Sequence, residues 1–274
     1  LSVGLCLMNW VFLGDSLTEG VGSKRISHVA ELAKQLGASE FRLRPIDALN
    51  GQIDFNVAGL MNVAEQQSSD LWLWNLACEG QTIETDFKWL PLIRALRPEL
   101  VVVFRGTLES IVRPSMLRNG AWPWWVPRSW RTYSAMDPRC YFSNTWWRRA
   151  KQTSVEAVKQ KARVKLLKLQ PGKPLMELEK FVQYQGELLR QLRAIGARVL
   201  VLGLLPVDEN RFPESPAYFA TVNEKLREVA NAAGAEFFDW ASLMPAHEEL
   251  FYRDTLHPNE AGACALAEIL RKVL

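Results

Sequence analysis

The sequence predicts a three-layer α/β sandwich built around a parallel sheet of five strands. Short apolar runs recur along the chain, and segments with helical periodicity separate them. Runs that are apolar throughout are typical of strands buried on both faces of a parallel sheet. Their alternation with helices favours right-handed crossovers and helices on both faces. Because 274 residues, 48% of them hydrophobic, suffice for one large core, we expect a single domain over residues 1–274.

The elements follow one another in a regular order. The expected strands are Asn9–Leu13, Asp70–Ala77, Glu99–Phe104, Arg198–Leu204 and Ala235–Trp240. The expected helices are Ile26–Gln35, Thr82–Ala95, Leu175–Ala194, Ala217–Ala233 and Asn259–Val273. Each strand ends near glycine, proline or a polar turn. Ligands of such folds bind at the carboxyl ends of the strands, so we expect the functional residues in the loops that follow them.

Residues 110–175 interrupt this alternation. The segment holds six of the eleven tryptophans and is far longer than an ordinary connection. We interpret it as a cap-like insertion over the active-site face, between the third and fourth expected strands. Trp122, Trp124 and Trp125 are candidate substrate-binding residues, because aromatic rings can stack on sugars or line an acyl site. An ordinary hydrophobic core beneath a loop-rich cap is the alternative.

Residues 148–168 form a strongly basic segment, with eight lysines and arginines against one glutamate. It predicts an anionic partner, such as a glycan, an acyl carrier protein or a membrane surface. A solvated basic face is the alternative. The formal net charge of the whole chain is only +3, which is too small to favour nucleic-acid binding.

Other features bound the function by what they lack. The four cysteines have no Cys-x-x-Cys spacing, so neither a zinc site nor a disulfide framework is expected. No apolar run reaches the roughly 18 residues of a membrane span. The sequence shows no export signal, which favours a cytoplasmic location. We expect Met8 to be the natural start, with Leu1–Leu7 as upstream sequence.

Both ends of the chain carry residues suited to nucleophilic catalysis. Gly14-Asp15-Ser16 follows the first expected strand, and Asp254 and His257 lie three residues apart near the end. A serine hydroxyl needs a base to accept its proton and a carboxylate to orient that base. His28 and His247 are weaker candidates for the base, and Asp15 is expected to cap the turn.

Gly14-Asp15-Ser16-Leu17 after an apolar strand, together with Asp254-x-x-His257-Pro258, resembles the SGNH, or GDSL, hydrolase family. The resemblance implies a flavodoxin-like sheet and serine-dependent ester hydrolysis through an acyl-enzyme, with no metal or nucleotide cofactor. It implies Ser16, Asp254 and His257 as the catalytic residues. It also implies an oxyanion hole made of the Ser16 N–H, the N–H of Gly80 in a second motif, and an asparagine side chain in a third.

The third motif departs from the family pattern Gly-x-Asn-Asp, because Leu108 occupies the asparagine position in Gly106-Thr107-Leu108-Glu109. Arg105, Arg113 and Asn75 are candidates for the missing donor, and Glu109 could pair with either arginine. Arg105, Glu109 and Arg113 are also candidate substrate-binding residues. The run from Gly106 to Arg113 is similar to a divergent branch found in bacteria that build surface polysaccharides.

The expected substrate is therefore an acylated carbohydrate or a related small ester. Two alternatives stay open. The same serine site could transfer its acyl group to a bound acceptor rather than to water. The chain could also be a non-catalytic glycan-binding module on the family scaffold, which a complete set of Ser16, Asp254 and His257 disfavours.

Overall fold

A computed structural model describes residues 8–23, 26–43, 69–115, 122–132, 135–244 and 248–274. The strands in these residues are β1 (Met8–Gly14), β2 (Ser39–Arg42), β3 (Leu71–Asn75), β4 (Leu100–Phe104), β5 (Arg198–Leu202) and β6 (Glu236–Phe238). The α-helices are α1 (Ser16–Glu19), α2 (His28–Leu36), α3 (Asp86–Leu96), α4 (Thr107–Ser110), α5 (Trp146–Leu169), α6 (Leu178–Ala194), α7 (Ser215–Ala232) and α8 (Glu260–Val273). The expected α/β alternation is confirmed.

The six strands form one parallel sheet in the order β2-β3-β1-β4-β5-β6. Without β2 this is the flavodoxin-like order that the sequence predicts. The expected number of five strands was wrong, because β2 is an edge strand of four residues that are half-buried or exposed. Its one apolar side chain, Phe41, stacks on Trp72 and Trp74 with ring centroids 4.7 and 4.9 Å apart.

The core lies on both faces of the sheet. Every side chain of β4 is buried, which requires cover on each face. The helices pack in two groups: α2 against α8, and α6 against both α3 and α7. No helix in the described residues combines the length and the apolar character that crossing a bilayer would require.

The sheet order brings together the three loops that follow β1, β3 and β4, at the carboxyl ends of these strands. Because β1 lies between β3 and β4, the segments that follow these strands are neighbours. The loop after β3 is tied to β1 by a hydrogen bond from the Cys78 N–H to the Gly14 carbonyl at 3.1 Å. Gly14 is required for close packing, since a Cβ there would lie 2.1 Å from Thr18 Oγ1. This end of the sheet therefore carries Ser16, Gly80 and Leu108.

The predicted insertion, residues 110–175, begins and ends side by side. Arg113 and Lys173 exchange two backbone hydrogen bonds of 2.9 Å. A small second core of Val126, Met136 and Leu166 lies within it. In α5, only residues from 162 onward include buried side chains, while residues 146–155 are all exposed. The insertion as a separate cap and the single domain over 1–274 stay predictions.

Candidate active site

Ser16 stands at the start of α1, directly after β1. Asp15 is the N-cap, and its Oδ1 accepts a hydrogen bond from the Leu17 N–H at 3.0 Å. Leu17 and Thr18 are buried and fix the short helix against the core. The hydroxyl of Ser16 is therefore held at a helix N-terminus, where positive partial charge favours a developing anion.

The loop before α8 places Asp254 and His257. The Tyr252 N–H donates to the His257 carbonyl at 2.9 Å, which closes the loop. Asp254 Oδ1 accepts hydrogen bonds from the N–H groups of Leu256 and His257, each at 3.0 Å. Thr255 has a φ of +55°, so the backbone turns sharply between the two functional side chains. These backbone hydrogen bonds thus orient the carboxylate of Asp254 toward the imidazole of His257.

The side chains of Ser16, His257 and Asp254 form a continuous hydrogen-bonded chain. His257 Nε2 lies 2.8 Å from Ser16 Oγ, and His257 Nδ1 lies 2.6 Å from Asp254 Oδ2. The Asp254 side chain is fully buried, whereas the imidazole is 13% exposed. This is the geometry in which a histidine can take the proton of a serine while a carboxylate orients the ring.

The pKa of His257 reflects two opposing effects. Burial lowers the pKa, but the hydrogen bond and negative charge of Asp254 outweigh it and raise the pKa above the ordinary 6.5. Asp15 and Glu79 add smaller electrostatic effects in the same direction. The imidazolium that forms when the serine loses its proton is therefore stabilised.

A second histidine, His28, takes no part in this chain. His28 is buried on α2 between the rings of Phe104 and Trp240, at centroid distances of 6.4 and 5.7 Å. Burial lowers its pKa to about 3, so it stays neutral. His247 lies outside the described residues.

The two backbone N–H groups that the family resemblance implies as oxyanion donors belong to Ser16 and Gly80. Among the described residues, nothing accepts a hydrogen bond from the N–H of Ser16 or of Gly80. Gly80 has a φ of +70° in the loop that is tied to Gly14, a conformation that glycine adopts without strain. Both N–H groups therefore lie in loops at the carboxyl ends of the strands, on the same side of the sheet as the Ser16 hydroxyl.

The side chains proposed to replace the missing asparagine are engaged elsewhere. The backbone N–H of Leu108 faces Asp15 Oδ2 at 3.4 Å. Asn75 Nδ2 donates to the Thr18 carbonyl and to Glu40, at 3.3 and 3.2 Å. The described residues thus offer no side-chain donor in the position of the family's asparagine.

Arg105 is buried and connects the end of β4 to the loop that follows β3. Its guanidinium pairs with Asp86 through bonds of 2.7 and 2.5 Å and donates to the Gln81 carbonyl at 2.6 Å. Burial opposes its charge, but Asp86 outweighs that effect, so the pKa of Arg105 is raised. The loop that carries Gly80 is thereby attached to β4. This position gives no support to the predicted contact of Arg105 with substrate.

Glu109 and Arg113 are also buried. Glu109 Oε1 accepts a hydrogen bond from the Ile83 N–H at 2.7 Å, while Oε2 has no hydrogen-bond partner in the described structure. Burial raises the pKa of Glu109 to about 7. Arg113 donates to Asp137 at 2.9 Å and to the Leu108 carbonyl at 2.8 Å. The suggested Glu109 ion pair is not formed, and substrate contact by either residue stays without support.

The three candidate tryptophans differ in environment. Trp122 and Trp125 are half-buried against the small core around Val126, and Lys165 lies 5.1 Å from the Trp125 ring centre. Trp124 is 92% exposed. The first two therefore pack partly on that small core, and Trp124 is the most exposed of the three.

Cys140 is a neighbour of the triad that the sequence did not reveal. Its sulfur lies within 4.8 Å of donor atoms of Asp254 and His257. Burial, with a contribution from Asp254, raises the pKa of the thiol to about 12, so it stays protonated. Both imidazole nitrogens of His257 are already hydrogen-bonded, to Ser16 and Asp254, and the protonated thiol lies beside this chain. No spacing could have identified Cys140, because only the fold brings it there.

Comparison with known proteins identifies the family of the chain. The family model described as "GDSL-like Lipase/Acylhydrolase family" matches residues 12–264. The chain therefore belongs to that family and is an ester-hydrolysing enzyme. Among curated protein sequences, none matches the chain.

Solved structures share the fold at low sequence identity. The acetyl xylan esterase AlAXEase is 13% identical with a TM-score of 0.54, and the match covers 97% of this chain and all 100% of that one. A GDSL-family putative lipolytic protein from Desulfitobacterium hafniense is 14% identical with a TM-score of 0.54, covering 97% and 99%. The acetylxylan esterase Axe2 from Geobacillus stearothermophilus, as a catalytic mutant, is 13% identical with a TM-score of 0.52, covering 97% and 94%.

Proposed function

We propose that this enzyme hydrolyses the acyl esters of a carbohydrate through an acyl-enzyme formed on Ser16. The observation that carries the proposal is the chain of short contacts from Ser16 Oγ to His257 at 2.8 Å and from His257 to Asp254 at 2.6 Å. The remaining features of the site, including the helix N-terminus and the two unused backbone N–H groups, suit the same reaction.

The reaction proceeds in two halves. Ser16 Oγ attacks the ester carbonyl while His257 Nε2 accepts its proton, and Asp254 stabilises the imidazolium. The N–H groups of Ser16 and Gly80 donate to the oxyanion. Collapse of this intermediate breaks the bond to the alcohol, which leaves with the proton from His257. Water then attacks the acyl-enzyme by the same route and releases the acid.

A carbohydrate ester is favoured as substrate by two considerations. Two of the structural neighbours are described as acetyl xylan esterases, which act on acetylated sugars. The resemblance of Gly106–Arg113 to the polysaccharide-linked branch points the same way. Rates on p-nitrophenyl esters from acetate to decanoate, alongside release of acetate from acetylated xylo-oligosaccharides, test this choice. A clear preference for long acyl chains would contradict it.

The nucleophile is tested with a fluorophosphonate probe, which labels activated serines. We expect labelling of the wild-type protein and none of Ser16→Ala. Ser154→Ala, an exposed serine on α5, is the matched control and keeps the label. Failure of the folded wild type to react would overturn the proposal. Incubation with an acyl donor and candidate sugar acceptors, followed by mass spectrometry, separates hydrolysis from acyl transfer.

A further inference from the structure

A groove of about 750 Å³ lies between α5 and the loop that carries Asp254 and His257. On one side Thr153, Ala157 and Lys161 of α5 form the wall. On the other side it is lined by Tyr252 and by Thr255, which stands between the acid and the base. Its volume is in the range of sites that bind small molecules. The groove thus adjoins the catalytic loop without including Ser16.

The walls of the groove carry an excess of positive charge. Arg139, Lys161, Arg211 and Arg253 line it, against two acidic residues, Glu156 and Asp208. Glu156 pairs with Lys159 at 3.2 Å, while its Oε2 has no hydrogen-bond partner in the described structure. Asp208 accepts the Asn210 N–H at 2.9 Å and lies 4.0 Å from Arg211. The acidic groups are thereby partly satisfied, while the cationic groups favour an anionic ligand.

Aromatic surface accompanies this charge. Phe142, Phe251 and Tyr252 line the groove, and the Arg253 guanidinium lies 4.9 Å from the Phe142 ring centre. Trp146, Thr153 and Ala157 fall at i, i+7 and i+11 and share one face of α5. The line of the groove therefore continues toward Trp146, which is 79% exposed. An elongated ligand could contact both the groove and this ring.

We propose that the groove binds an acidic oligosaccharide, as an extension of the glycan whose ester Ser16 hydrolyses. Sugar rings pack on aromatic surface, and their carboxylates or phosphates pair with arginine and lysine. A purely apolar ligand would offer no anionic partner to Arg139, Lys161 and Arg253, and a small anion would not need the aromatic walls. The proposal rests on the proposed function, because it makes the groove the site for the part of the glycan away from the scissile ester.

The test is calorimetric titration of Ser16→Ala, which cannot turn over a ligand, with oligogalacturonate and with a neutral xylo-oligosaccharide of the same length. Polyphosphate serves as a polyanion without sugar rings. We expect saturable binding of oligogalacturonate that weakens with added salt, and much weaker binding of the other two probes. Adding Lys161→Glu should weaken oligogalacturonate binding about tenfold. Adding Lys168→Glu, the same charge reversal on α5 outside the groove, should leave it unchanged.

Three results would overturn the proposal. Absence of saturable oligogalacturonate binding removes the site. Equal losses in the two charge-reversal variants indicate diffuse attraction to the basic segment rather than binding in the groove. Equal binding of polyphosphate removes the requirement for a sugar. Failure of the hydrolase proposal is recognised separately, because fluorophosphonate labelling of Ser16 does not depend on the groove. Thermal unfolding of each variant controls for its fold.

Discussion

At the scale of single residues, Leu108 is the position that bears most directly on the proposed oxyanion hole. The proposed donors are the backbone N–H groups of Ser16 and Gly80, and leucine has no side-chain donor where the family pattern has asparagine. Loss of one such donor costs other serine hydrolases roughly 10²- to 10³-fold in kcat. The backbone N–H of Leu108 lies 3.4 Å from Asp15 Oδ2, beside Ser16, so a polar side chain at this position starts close to the site.

Leu108→Asn should therefore raise kcat on p-nitrophenyl acetate by about tenfold or more, because its amide adds a third donor in the transition state. KM should change little, since the donor acts mainly on the oxyanion. Leu108→Ala is the control for the loss of the leucine side chain. A Leu108→Asn variant no faster than Leu108→Ala would show that position 108 does not reach the oxyanion.

The pH dependence of the reaction belongs to His257. Catalysis needs the imidazole neutral, and Asp254 holds its pKa above 6.5. The acid limb of kcat/KM should therefore have its midpoint above pH 6.5, with activity lost as the pH falls below it. Asp254→Asn should move this midpoint downward and lower kcat by about 10⁴-fold, as the same change does in a Ser-His-Asp triad on another fold.

Glu79→Gln gives a graded comparison for the same profile. Glu79 is exposed and raises the pKa of His257 only through its charge. The variant should shift the midpoint in the same direction as Asp254→Asn but by less. An acid limb below pH 6.5 in the wild type, or one that Asp254→Asn does not move, would contradict this assignment of the base.

At the scale of elements, buried charges hold the loops after β3 and β4 together. Arg105 joins the end of β4 to Asp86 at the start of α3 and to the Gln81 carbonyl. Glu109 joins α4 to the Ile83 N–H. A buried pair such as Arg105–Asp86 costs several kcal/mol to break, since each partner would leave an uncompensated charge. The network fixes the loop of Gly80 relative to Ser16.

Glu109 should make stability depend on pH. Its pKa is about 7 in the folded protein against 4.5 ordinarily, so the folded state binds the proton more tightly. The stabilisation is complete below pH 4.5 and is lost as the pH rises through about 7, by roughly 3 kcal/mol. In urea unfolding, Glu109→Gln should gain stability relative to wild type between pH 5 and pH 8. The exposed variant Glu268→Gln is the control and should show no such gain. A difference in unfolding free energy between Glu109→Gln and wild type that does not change with pH would refute the raised pKa of Glu109.

The elements divide into those that sequence patterns could identify and those that they could not. Five strands were predicted because burial on both faces demands continuous apolar runs. β2 was missed because an edge strand with Phe41 as its one apolar residue carries no such run. The hydrogen-bonded set of Ser16, Asp254 and His257 was predictable from residue types and motif spacing. The burial of Arg105 and the position of Cys140 were not, because both depend on tertiary contacts.

At the scale of the whole molecule, the sheet brings the two ends of the sequence into one site while α5 extends beyond the main core. Ser16 follows the first strand, and His257 precedes the last helix, yet their side chains are 2.8 Å apart. The packing of α8 against α2 holds the C-terminal part of the chain against the N-terminal part. In α5 the buried residues Ala162, Arg163, Leu166 and Leu167 anchor the helix. Residues 146–155 have no comparable anchor.

Limited trypsin digestion should reveal this difference in anchoring. A helical segment without tertiary packing frays, because helix propensity alone is marginal. Cleavage at Arg148, Arg149 and Lys151 should therefore precede cleavage at Lys225, whose side chain is 43% exposed on the packed helix α7. A mass-spectrometric time course measures the order. Earlier cleavage at Lys225 would show that residues 146–155 are better anchored than their exposure indicates, and the groove beside α5 would then have a more rigid wall.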